Sequence, residues 1–158
     1  MFRKKNTLLK RYLKVLVYLL LINILIVFST ISIHELGHFF IGSFQKCENI
    51  KIVLLDANNL NTHTEMNCHP NTNINIIAYG SLLSVTPISF MFLFFEKRTE
   101  RYYGVLMFGL NLIIATSDIQ NIFKSNILYY LQFTIGLCIV IWTQISIVND
   151  ILTEDRGI

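Results

Sequence analysis

Residues 15–44 read VLVYLLLINILIVFSTISIHELGHFFIGSF, and the fold follows from how this stretch is built. Its first 19 residues, 15–33, carry no charge, with Asn23, Ser29, Thr30 and Ser32 as polar interruptions. At 1.5 Å per residue such a helix spans about 28 Å, close to the ~30 Å hydrocarbon core of a bilayer. Basic residues precede the run as they would in a signal peptide, but it is too long for one and no small-residue cleavage site follows. The apolar pattern instead continues through His34 to Phe44, and a first membrane helix over residues 15–44 is expected.

The rest of the chain repeats that character. Apolar blocks cover residues 74–95, with Pro87 placed to kink it and the small residues Gly80 and Ser84 one helical turn apart, then 102–123 and 127–148, with Trp142 suited to an interface. Between the first two lies a polar loop, 45–73, whose apolar stretch 50–55 reads as a short strand; the loop reads as an open loop or a short hairpin. Residues 96–101 (EKRTER) read as a charged turn. The expected fold is therefore an all-α integral membrane protein, a single domain of about four transmembrane helices with a polar loop or short hairpin after the first.

Composition agrees. Of 158 residues, 53% are hydrophobic and 15% charged, against roughly a quarter charged in soluble domains. The formal charge is +3, and its positive residues flank apolar blocks, which points to a membrane surface and excludes a nucleic-acid partner. Ten of the thirteen Lys and Arg residues (Arg3, Lys4, Lys5, Lys10, Arg11, Lys14, Lys97, Arg98, Arg101 and Arg156) fall on one side of a four-helix topology; Lys46, Lys51 and Lys124 fall on the other. The positive-inside rule then puts both termini in the cytoplasm of a multi-pass protein of the cell membrane. Cys47, Cys68 and Cys138 lack paired spacing, and no disulfide is expected from them.

The chemistry concentrates in His34-Glu35-Leu36-Gly37-His38, an H-E-x-x-H pattern. On a helix, residues four apart share a face, so both imidazoles can reach one zinc ion. Glu35, one step round, is placed to accept a proton from an attacking water as general base. Two imidazoles and a carboxylate at membrane depth are costly unless paired or metal-bound. Inert histidines at the interface are the bland alternative. Haem ligation fails because two histidines a turn apart cannot take opposite axial positions. A catalytic zinc needs a third protein ligand. Asp118 is the leading candidate, as the one charged residue in the third apolar block. His63, Cys68 and His69 of the polar loop compete for the same role.

HELGH in an apolar helix with an aspartate in a later one resembles the site-2 protease family of intramembrane metalloproteases. Residues 78–84 (AYGSLLS) look like that family's small-residue signature, and Asn111 precedes Asp118 by seven positions, similar to its Asn-to-Asp stretch. Both prolines of that stretch are absent, and Ile119 stands where the family has glycine. The resemblance covers about residues 33–122. It implies Zn2+ on His34, His38 and Asp118, Glu35 as catalytic base, and a membrane protein or hydrophobic peptide as substrate. It also implies zinc near the cytoplasmic face, whereas a helix leaving the cytoplasm at residue 15 carries His34 toward the outer one. Two other classes fit the same residues: an inactive relative acting as a membrane peptide-binding, immunity or assembly protein, and a metal-ion or proton carrier.

Overall fold

A computed structural model describes residues 2–53 and 62–154. Of the described residues, 79% are helical. In order it forms α1 (Phe2–Phe44), β1 (Glu48–Val53), β2 (His63–Asn67), α2 (Ile74–Met91), a short 3-10 turn (Phe92–Phe94), α3 (Arg98–Ile114), α4 (Thr116–Phe123) and α5 (Asn126–Glu154). Among the described residues, four helical stretches, Tyr12–Phe44, Asn75–Phe94, Arg98–Gln120 and Asn126–Thr153, are long and apolar enough to cross a membrane. Large apolar side chains such as Leu20, Leu21, Phe28, Phe94 and Ile127 face outward, a surface suited to lipid and costly in water.

The helices meet through small residues and a few buried polar pairs. A Cβ on Gly37 would lie 2.5 Å from the Gly80 carbonyl oxygen, so α1 and α2 touch backbone to backbone, as the Gly80 and Ser84 spacing predicts. Ser84 Oγ donates to the Ile33 carbonyl at 2.9 Å across the same contact. Ile26, Leu106, Met107 and Ile147 form the apolar core between α1, α3 and α5. Between α1 and α5, the side-chain amides of Asn23 and Gln144 bond reciprocally, each serving the other as donor and acceptor.

Three sequence expectations are corrected. The EKRTER stretch is not a turn as a whole, because α3 already begins at Arg98, with Glu100 in its first turn, where a carboxylate suits the helix dipole. The third apolar block is two helices rather than one. Ala115 (φ −72, ψ 0) ends α3, and the Thr116 hydroxyl donates to the carbonyls of Leu112 (2.9 Å) and Ile113 (2.6 Å). Such back-bonding competes with the helical ladder. The third correction concerns the cysteines.

The polar loop is an antiparallel hairpin, with Lys51 opposite Glu65, Ile52 opposite Thr64 and Val53 opposite His63; the register shifts between Glu48 and Lys51. Asn49, at that irregularity, has φ 53, a left-handed conformation that asparagine tolerates. Leu54 and Leu55, the end of the expected strand, lie outside the described residues. Glu48 faces Asn67, so the residues just beyond them, Cys47 and Cys68, come to a Cα separation of 4.3 Å and form a disulfide. The expectation of no disulfide is thus overturned. Strand register brings together two cysteines 21 positions apart, and their spacing alone carries no trace of that pairing. Cys138 is a free thiol on α5.

Candidate metal centre

The centre is assembled from α1, α2, α4 and the hairpin. Helical spacing stacks His34 and His38 one turn apart, their ring centroids 5.0 Å from each other. The break at Ala115 starts α4 with Asp118 in its first turn, aimed at the two imidazoles. Asp118 Oδ2 lies 3.1 Å from His34 Nε2 and 3.3 Å from His38 Nε2. Two donors on one tetrahedral zinc, with bonds of 2.0–2.1 Å, stand about 3.3 Å apart. The aspartate is therefore spaced from each histidine as a shared ion would require, and all three candidate ligand atoms fall within 4.8 Å of one another.

Protonation sharpens this. His38 Nδ1 lies 3.0 Å from the Ile77 carbonyl oxygen, which can only accept, so Nδ1 carries the hydrogen and Nε2 turns toward Asp118 with its lone pair or an added proton. His34 Nδ1 lies 3.2 Å from Asn111 Oδ1, the same arrangement with a side-chain acceptor. With both imidazoles neutral, two Nε2 lone pairs and a carboxylate oxygen converge, a set of three acceptors that could hold a metal cation. Outer partners that hold each imidazole's Nδ1–H are what metal-bound histidines ordinarily have. The donor set of two nitrogens and one carboxylate oxygen fits zinc, and the residues present fit the group that the sequence resemblance implies.

Glu35 is 5% exposed and borders the same space. Its Oε2 accepts a 2.7 Å hydrogen bond from Thr64 Oγ1 on β2, which leaves Oε1 able to take a further hydrogen. His34, Glu35, His38 and Asp118 all line a cavity of about 880 Å³, roofed on one side by Thr64 and Cys68 of the hairpin. Space for a peptide segment thus lies directly beside the four residues.

Of the competing ligands, His63 and Cys68 border the cavity, but neither they nor His69 join the three grouped donors. The Cys68 sulfur is consumed by the disulfide. His63 Nε2 pairs with Glu65 Oε1 at 3.3 Å, and His69 Nδ1 accepts from the Asn71 amide at 3.4 Å. Among the described residues, His34, His38 and Asp118 are the one such group of potential ligands. Sequence reading overlooked three participants. Asn111 was legible only as an amide in an apolar block and as part of the family-like stretch. Thr64 and the Ile77 carbonyl left no sequence signal, because folding of the hairpin and the α1–α2 contact bring them in.

No family model, curated protein or solved structure matches the chain.

Proposed function

We propose that this chain is an intramembrane zinc metalloprotease that hydrolyses peptide bonds of a membrane-embedded or membrane-associated polypeptide. The observation that carries the reading is the convergence of His34 Nε2, His38 Nε2 and Asp118 Oδ2, at 3.1 and 3.3 Å, beside a buried Glu35 in one cavity. A carrier needs a relay of polar groups through the membrane, whereas here the donors meet at one point and face a pocket. The site-2 protease resemblance of HELGH supports the same choice.

Zinc, when bound, supplies Lewis acidity toward water and toward the scissile carbonyl. The remaining work falls to the protein. His34 and His38 present Nε2 because Asn111 and Ile77 occupy their Nδ1–H groups. Glu35 takes a proton from the attacking water and returns it to the leaving nitrogen. The amide C–N bond breaks, a C–O bond forms, and no redox partner is needed. Thr64 holds the carboxylate while this happens.

A substrate helix in lipid keeps its peptide groups hydrogen-bonded, so the scissile segment must first unwind. The unwound segment can then pair with the edge of β1 as an added strand. The test is cleavage of a quenched peptide by detergent-purified protein: Glu35→Gln is expected to retain zinc and lose activity by on the order of 10²–10⁴-fold, and His34→Ala to lose both. Full cleavage by Glu35→Gln would reject the general-base role.

A further inference from the structure

We infer that the metal centre opens on the non-cytoplasmic face of the membrane, and that its substrates are polypeptide segments lying at the headgroup level of that outer leaflet. The inference rests on the protease reading for its chemistry, while its geometry stands independently.

Three observations agree on the orientation. The hairpin that roofs the cavity is closed by the Cys47–Cys68 disulfide, and Cys68 itself borders the cavity. Structural disulfides form and persist on the oxidising side of a cell membrane and are rare in the cytosol. Basic residues give the same direction: Lys14 sits at the start of the first span, Lys97 stands between the second and third, and Arg98 and Arg101 open the third, at the end of the bundle away from the hairpin. Depth gives it a third time. From Lys14 to His34 the chain is one uninterrupted helix of twenty steps, about 30 Å at 1.5 Å per residue. That distance is one hydrocarbon thickness, so with Lys14 at the cytoplasmic interface the imidazoles reach the opposite one.

The helix directions are consistent with this. Asn75 at the start of α2 lines the cavity, whereas at the far end of the bundle Thr99 Oγ1 donates to Asp150 Oδ2 at 2.9 Å, beside Arg98. The conflict between charge bias and family resemblance thereby resolves in favour of the charges. Water reaches such a site directly from the outer face. A scissile bond there belongs to the juxtamembrane stretch of an anchored protein or to a peptide arriving from outside; both present an extended backbone at the same depth.

Orientation is read from single cysteines, Asn71→Cys beside the site and Glu96→Cys at the opposite end, in the otherwise full-length Cys138→Ala chain. Intact spheroplasts of an expressing bacterium are treated with a membrane-impermeant maleimide. Asn71→Cys is expected to label before lysis and Glu96→Cys only after it; the reverse, or labelling of both before lysis, overturns the inference. Chemistry is read separately, with a quenched peptide, free or lipid-anchored, added outside intact spheroplasts and to the detergent-purified protein. Cleavage from outside by the unaltered chain, absent in Glu35→Gln, supports the inference, and the preferred peptide form distinguishes the two substrate sources. Cleavage in detergent but not from outside overturns it and leaves the protease reading standing. Neither zinc nor cleavage in detergent overturns the protease reading, and the labelling pattern still decides the orientation.

Discussion

Thr64 Oγ1 donates to Glu35 Oε2 at 2.7 Å, so a strand that belongs to none of the helices holds the carboxylate at the heart of the centre. Hydrogen bonds to charged groups contribute about 1.5–3 kcal/mol, and this one fixes which oxygen of Glu35 faces the cavity. Thr64→Val keeps the shape and removes the donor. Its kcat is expected to fall by about tenfold or more, with KM and zinc content unchanged, and Thr64→Ser is expected to restore most of the loss. Steady-state kinetics on the three proteins decide it; equal kcat values would show that Thr64 is a bystander.

Asn111 is fully buried, and its Oδ1 faces His34 Nδ1 while its Nδ2 has no partner. An unpaired buried donor costs stability, and the amide orientation that incurs it is the one that leaves His34 Nε2 free for a metal. Asn111→Leu removes the acceptor. Zinc affinity, measured by competition with a chromogenic chelator, is expected to drop by about 10–100-fold, with Asn111→Asp recovering it. Unchanged affinity in Asn111→Leu would mean that the imidazole orients itself.

Gly37, the fourth residue of HELGH, is set by packing and not by chemistry. A Cβ there would sit 2.5 Å from the Gly80 carbonyl and 2.6 Å from Ser84 Oγ, too close without moving α2. Gly37→Ala is therefore expected to destabilise the bundle by about 1–3 kcal/mol. It would also weaken zinc binding, because the Ile77 carbonyl that holds His38 rides on α2. Thermal unfolding in detergent with and without zinc reads both effects.

The disulfide makes a prediction that needs no activity assay. Denatured without reductant, the chain is expected to show one reactive thiol, Cys138, and three after reduction. Cys47→Ser with Cys68→Ser is expected to loosen the hairpin, expose Glu35 to solvent and raise its protease sensitivity near residues 48–67, as limited proteolysis would show.

Much of this was legible in the residues. Apolar run length located the four helical stretches long and apolar enough to cross a membrane, because a helix pairs its own backbone groups without help from water. Spacing of four located His34 and His38, and the rarity of a carboxylate in an apolar block located Asp118. What escaped shares one cause. The Cys47–Cys68 bond, the Thr64 contact and the break at Ala115 depend on strand register, on a hairpin folding back over α1, and on Thr116 bonding to Leu112 and Ile113. Periodicity records which face of an element is apolar, and it does not record what lands on that face.

The central claim is that His34, His38 and Asp118 hold one zinc ion. Zinc K-edge absorption on detergent-purified protein, with metal content measured on the same sample, tests it most directly. The expected result is one zinc per chain with two imidazoles and carboxylate oxygen at about 2.0–2.2 Å, and loss of that oxygen in Asp118→Ala. Absence of stoichiometric zinc, or sulfur scattering at about 2.3 Å in its first coordination shell, would contradict the account.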